Sequence, residues 1–501
     1  MTLNAKWVPM KWPCGPLEIA RLNKFNIGDA ELKETVEAWI QPSALELLRE
    51  TPVNCLLVDW ASGAAEDGAQ QLALRPLIHA GRQLGLSFVG NVSAKENLAA
   101  VVAAGRAAGL EAVILQGPGS QTLDLSFILQ FPSDNIEWDV TTAIFSVTGS
   151  VWPKANLQAL DENMDGDTAS AGPTGNPWAD SNGWLTLLAR QMASGKVLWL
   201  DIDPPDSTDM LSAKDYCLAI ADSRVYGSRW VISLESRMRT ALLKRDRSAM
   251  DAWTRICETL SFFENHAECD AYEPMGVLAV VSDFRGQNAY TSGEVLNLLD
   301  RRQIQFVVID RMQPLPSPKD WQKGILWMDD EPPTSGQKNQ LLAFVQQGGL
   351  VIAAKYWGPS GVAPYKEDWL YGYNIYNVAK GRIVVAEGGL PDPYQLSRDA
   401  HLLVSRKNDF VRLYNPGITK YYSCIDLDRF KQVVQILNYS TEDASYVTLW
   451  VNTKARSARL WRPKSESSLP MAVDSANGSS NFDLPSFSVN CAVEIERLAQ
   501  Q

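Results

Sequence analysis

NCLLVDWASGAAEDGAQQLALRPLIHAGRQLGLSFVGNV, residues 54–92, carries the pattern that decides the fold. It opens and closes on the apolar runs NCLLVDW (54–60) and LSFVGNV (86–92), with the amphipathic GAQQLALRPLIHAGRQLG between them. Short continuous apolar runs suit strands buried on both faces, and the segment between them has the period of a helix. A strand, a helix and a second strand make a parallel crossover unit. The alternation continues through EAVILQG (111–117), TAIFSVTG (142–149), KVLWLDID (196–203) and RWVISLES (229–236). A first strand near WVPMKW (7–12) and an extended piece near 171–177 bring the strand positions to eight. Eight such units within residues 1–268 match a (β/α)8 TIM barrel, which takes about 250 residues. An open doubly wound sheet is the alternative.

A second α/β pattern spans 269–394. Its strands are MGVLAVVSDF (275–284), QFVVIDR (305–311), GILWMDD (324–330), LVIAAKYW (350–357) and GRIVVAE (381–387), with helices through GEVLNLLDRR and SGQKNQLLAFVQQGG. This predicts a flavodoxin-like domain. From 395 to 501 the signal turns to β, in QVVQILNYS (432–440), YVTLWVN (446–452), SARLWRP (457–463) and SFSVNCAVEIE (486–496), which predicts a β-sandwich.

Composition narrows the function. The 501 residues are 46% hydrophobic and 21% charged, with a net charge of −12, so nucleic acid and anionic membranes are poor partners. No apolar run is long enough to span a bilayer and no secretory signal is visible, so a cytoplasmic protein is expected. Seven cysteines without a CxxC pair read as free thiols, and three histidines are too few for a His-rich metal site. No cofactor or metal is expected, and no Gly-rich phosphate loop is present.

QLLAFVQQGGLVIAA (340–354) in the middle segment, and QILNYS (435–440), VTLWV (447–451) and ARLWRP (458–463) in the last, complete the order barrel, α/β domain, β-domain. That order resembles the family-42 glycoside hydrolases, β-galactosidases whose middle domain looks like a class I glutamine amidotransferase and mediates trimerisation. The resemblance implies an oligosaccharide substrate, a pair of catalytic carboxylates, and a homo-oligomer, trimeric in that family. It is architectural rather than a match of catalytic motifs. The middle segment has no cysteine between Cys269 and Cys424 and no histidine between His266 and His401, which excludes amidotransferase catalysis. The family carries a Glu after the fourth strand and another after the seventh. Here the fourth ends in LQGPGS with Gln116, and the seventh in Asp201.

Active sites of such barrels lie at the C-terminal strand ends. Reading those ends in order gives Trp12 and Glu18, Asp59 and Trp60, Asn91, Gln116, then Trp152. Trp178, Asp180 and Asn182 follow, and then Asp201 with Asp203, and Glu235. Glycoside hydrolysis needs two carboxyl groups flanking the scissile bond, and flat aromatic faces stack on sugar rings. Eleven of the 17 Trp fall in the first 253 residues, which favours a carbohydrate cleft.

The expected pair is Glu235 and Asp201, with Glu18, Asp59 and Asp180 as alternates. Trp12, Trp60, Trp152 and Trp178 are expected as subsite walls, and Asn91, Gln116 and Asn182 as polar contacts. PTGNPWADSNGW (173–184) has a second reading, in which Asp180 or Ser181 caps the following helix and the Trp rings are plugs. The charged stretch 392–415 reads as a salt-bridged seam. A non-catalytic carbohydrate-binding or assembly protein that kept the architecture is the competing function, and Gln116 favours it.

Overall fold

The computed structural model of the chain describes residues 6–25, 30–93, 98–116, 128–130, 143–145, 150–156, 178–193, 195–205, 210–467 and 478–498. It divides into two compact units rather than three consecutive spans. One holds Met1–Trp152 with Ala193–Ala267, the other Pro153–Met192 with Glu268–Gln501. Both are mixed α/β.

The first unit is built on an eight-stranded sheet whose neighbours follow chain order. Its strands are Pro9–Lys11, Cys55–Ala61, Ser87–Ser93, Ala112–Gln116, Ile128–Gln130, Ala143–Phe145, Leu198–Leu200 and Arg229–Trp230. Every pairing is parallel. Beyond the last strand, Ile232 donates its N–H to Pro9 O at 2.9 Å, and Lys11 N–H donates to Ile232 O at 2.8 Å. This parallel bridge returns the chain to the first strand. One face of the strands gathers Trp7, Cys55, Leu57, Val89, Ala112, Ile114, Trp199 and Val231 into an apolar core. Crossover helices cover the other face. Asp67–Gln83 turns Leu74, Leu77 and Ile78 inward, and Ala213–Val225 starts at a capping box between Ser212 and Asp215.

The fifth strand corrects the sequence reading. Ile128–Gln130 was not foreseen, because its three residues carry no measurable period. Residues 171–177 lie outside the described residues. The strand that follows them, Trp178–Asp180, pairs antiparallel with Lys154–Asn156 in a separate two-stranded sheet. Helix Gly183–Met192 then belongs to the second unit, where its Leu188 shares a core with Val295, Leu299 and Phe306. An amphipathic helix shows which face is buried but not the sheet that buries it.

The second unit contains a six-stranded sheet in the order Phe306–Asp310, Leu278–Ser282, Gly324–Trp327, Leu350–Ala353, Gly381–Ala386, Tyr373–Val378. All pairs are parallel except the last, an antiparallel hairpin. Helix Pro393–Val404 sends Leu396, Ala400, Leu403 and Val404 into that sheet's core. The stretch 392–415 is thus a helix of the α/β layer followed by a strand, Val411–Tyr414. Two antiparallel sheets complete the unit. One has six strands, including Thr419–Asp426, Lys431–Asn438, Asn490–Arg497 and Ala455–Arg462; the other has Val411–Tyr414, Thr448–Val451 and Ser480–Asp483. Val411, Leu449 and Phe482 from the small sheet share a core with Val434, Leu460 and Val493 from the large one. Among the described residues no helix is long and apolar enough to cross a membrane.

Candidate active site

Strand geometry turns the sequence of the first unit into a ring of polar groups. Side chains two apart share a face. The apolar positions Leu57, Val89, Trp199 and Val231 are therefore followed, on the same face and toward the C-terminal end, by Asp59, Asn91, Asp201 and Ser233. The first strand adds Lys11, four residues after Trp7. A cavity of about 770 Å³ opens at this end, lined among others by Lys11, Asp59, Asn91, Asp203, Ser233 and Glu235.

Its carboxyl groups differ sharply in their partners. Among the described residues Asp59 accepts one hydrogen bond, from Asn91 Nδ2 at 3.1 Å, and has no ion pair; burial pushes its carboxyl above the usual range. Glu235 stands just before helix Ser236–Leu243 without capping it, and instead accepts Leu211 N–H at 3.0 Å. Burial raises its pKa as well. Asp201 and Asp203 share one ammonium, with Lys11 Nζ 2.7 Å from an Oδ1 of each. Asp201 is largely shielded, at 11% exposed, and is not among the cavity-lining residues; desolvation raises its pKa despite the lysine. Asp203 is exposed and lines the cavity. Partial desolvation pushes its pKa up, but the charge and hydrogen bond of Lys11, with a hydrogen bond from Ser233 Oγ at 3.4 Å, hold it below the usual range.

Glu18, although it lines the same cavity, is taken. Arg21 grips it with two bonds of 2.6 and 2.8 Å, and Arg239 stands 3.7 Å away. The fork fixes helix Gly15–Lys24 and leaves this carboxylate little freedom for proton transfer. Asp180 is not among the residues lining this cavity. It lies in the second unit, paired with Arg301 at 3.2 Å, and accepts from Trp178 Nε1 at 2.9 Å.

The expected sugar-stacking walls are largely interior. Trp12 is 1% exposed, packs 4.0 Å from the Trp39 ring centroid and donates its indole N–H to Trp39 O. Trp60 points away from the ring into the helix layer, where Gly90 makes room for it: a Cβ there would come 2.9 Å from Trp60 Cβ. Trp178 is buried beneath the Arg301 guanidinium in the second unit, and Asn182 is fully buried there. Trp152 is half-buried, with its ring edge-on to Tyr216 and Trp230. The side chain of Gln116 lies outside the described residues. Of the expected residues, the cavity brings together Trp12, Glu18, Asp59, Asn91 and Glu235. Sequence reasoning missed Lys11, because the parity of the short first strand shows only once its neighbouring strands are in place.

No protein-family model matches the chain, and no curated protein sequence matches it. In structure it is similar to α-L-fucosidase isoenzyme 2 from Paenibacillus thiaminolyticus, with a TM-score of 0.57 and 10% identity over 91% of this chain and 96% of that one. Exo-β-1,4-mannosidase Op5Man5 from Opitutaceae bacterium strain TAV5 superposes with a TM-score of 0.43 and 11% identity over 77% and 94%, too loosely to carry an argument. At such identities the likeness is one of fold alone, and the chain has a glycoside-hydrolase-like fold.

Proposed function

We propose that this chain is a glycoside hydrolase acting on an oligosaccharide, with its active site at the strand ends of a (β/α)8 barrel. Eight parallel strands in chain order, with a bridge from the last back to the first, support the barrel reading. A flavodoxin-like middle domain is supported by the strand order 2-1-3-4, and a terminal β-sandwich by the core shared between two antiparallel sheets. Assembly into a homo-oligomer through the middle domain rests on the family-42 resemblance.

The observation that carries the function is a division of labour around one cavity. Lys11 holds Asp203 below the usual carboxylate range, while Glu235 and Asp59, half-buried and with no ion pair among the described residues, are pushed above it by desolvation. Carboxyl groups driven apart in this way mark a base and an acid. Glu235 donates its proton to the glycosidic oxygen as the bond to the anomeric carbon breaks. Asp203 supplies the carboxylate, either attacking that carbon or deprotonating the water that does, and the product anomer seen by proton NMR distinguishes the two. Asp201, one member of the pair expected from sequence, becomes the shielded anchor of Lys11 and cedes its place to Asp203. Asp59 remains the alternate acid.

Two substrate classes come first. Aryl β-galactosides follow from the family-42 resemblance, and aryl α-L-fucosides from the fold shared with the fucosidase. Release of the aryl group, lost in Glu235→Gln, is the expected result. Sugar binding with no turnover of any glycoside would replace this reading with the non-catalytic one.

A further inference from the structure

Lys11 occupies an unusual position for a structural ion pair. Its ammonium lies 2.7 Å from both Asp201 and Asp203, although one buried carboxylate would neutralise it. Asp201 is 11% exposed and Asp203 75% exposed, so the two partners differ in kind. The shielded one anchors the lysine; the exposed one is presented to the cavity that Lys11 also lines. Lysine carries three N–H donors on a compact charge, and two carboxylates leave one donor over.

We infer that Lys11 is the positioning residue of the proposed catalytic pair: anchored by Asp201, it holds Asp203 in place as a carboxylate and turns its third N–H toward the bound ligand. This inference rests on the hydrolase reading. The groups that act on Asp203 come from every side. Lys11 stands on the first strand, Asp201 precedes it on its own segment, Ser233 follows the last strand, and the Arg21 charge reaches it from helix Gly15–Lys24. Lys11 is the only one of these that combines full charge with contact. Without it, Asp201 and Asp203 are like charges facing each other, and each has reason to keep a proton.

The test is the pH profile of kcat/KM for Lys11→Met. The acidic limb, set by the ionised carboxylate, should move upward by about one unit, and kcat should fall about tenfold to hundredfold with little change in KM. Activity of Lys11→Ala should recover partly in ethylammonium, which a loss of packing alone would not allow. Lys11→Met/Asp201→Asn removes one charge of each sign and guards against a folding failure; it should stay folded and stay slow. An unmoved acidic limb with full kcat, or a defect seen only in thermal stability, overturns the inference. Should no glycoside be cleaved at all, the hydrolase reading fails by itself. Carboxyl 13C NMR then decides the role of Lys11: Asp203 titrates at higher pH in Lys11→Met if the inference holds, and unchanged if it does not.

Discussion

Each unit carries a parallel sheet with acidic residues at the C-terminal strand ends, and the two sets have opposite fates. In the second unit, Asp283, Asp310 and Asp329 meet arginine at every turn. Arg285 forks Asp310 with bonds of 3.3 and 3.2 Å. Arg311 pairs with Asp329, with Glu331 at 2.6 Å and with Asp283 at 3.5 Å. Ser282 Oγ and the Asp283 N–H complete the shell of Asp329 at 2.6 and 3.1 Å. In the first unit, Asp59 and Glu235 have single hydrogen bonds and no ion pair among the described residues, and they face a cavity of about 770 Å³. Strand-end acids are thus not a site in themselves. The second unit's acids are closed off by arginine, whereas Asp59 and Glu235 face an open cavity with one hydrogen bond each among the described residues.

The comparison is easiest to break with two isosteric changes. Glu235→Gln and Asp203→Asn should each lower kcat by about 10²- to 10⁴-fold, the usual worth of a positioned acid or base, without lowering the melting temperature. Asp329→Asn in the second unit should leave kcat alone. An unchanged rate in Glu235→Gln would remove that residue from the site and leave Asp59 as the acid.

Stability should respond the other way round. Arg311→Met strands Asp329, which is 2% exposed, without its main cation. Breaking such a buried pair costs about 3–5 kcal/mol, read as a lower urea midpoint, while kcat of the folded fraction stays as in the parent. A neutral effect would mean that the Ser282 and Asp283 donors alone hold the carboxylate.

Asp59 sharpens the contrast through pH. Its folded-state pKa is raised, so its contribution to stability is complete below the unfolded value of about 3.9 and is lost as pH rises through the folded value. Asp59→Asn keeps the shape and the Asn91 neighbour but cannot ionise. The fall in stability from about pH 4 to pH 7 should therefore be shallower in the variant than in the parent; an identical slope would show that Asp59 does not titrate anomalously.

The sequence was legible wherever periodicity spoke for burial. Leu278–Ser282 falls within the apolar run that announced it, and Cys55–Ala61 and Ser87–Ser93 each overrun theirs by one residue. The residues ending the interior face, Asp59, Asn91 and Asp201, followed from the same alternation. Lys11 was hidden because a three-residue strand, Pro9–Lys11, shows parity only once its neighbours are known. The fate of the tryptophans was illegible for another reason. A Trp after a strand can face a cleft or fill the helix layer, and Trp60 fills it because glycines at 90 and 105 stand opposite, far off in sequence. Nor does composition show that Glu18 lies under Arg21 and Arg239, since that needs the helix and the strand-end loops in place.

The smallest expected effects concern WADSNGW (178–184), where sequence left a cap and a sugar site open. Ser181 Oγ accepts Gly183 N–H at 3.0 Å just before helix Gly183–Met192, whose first turn closes with Thr186 N–H on Asn182 O. Asp180 is instead occupied by Arg301, Trp178 and Asn156 Nδ2, the last at 3.2 Å. Ser181→Ala should therefore cost about 1 kcal/mol, the usual value of a lost hydrogen bond. Asp180→Asn should cost about as much, because the amide keeps an acceptor for the indole but loses the charge that Arg301 sits against. Both are read by chemical denaturation, and neither should change kcat, since neither residue lines the cavity. A large kcat loss in Asp180→Asn with stability intact would return that residue to the chemistry and overturn the division drawn between the two sets of acids.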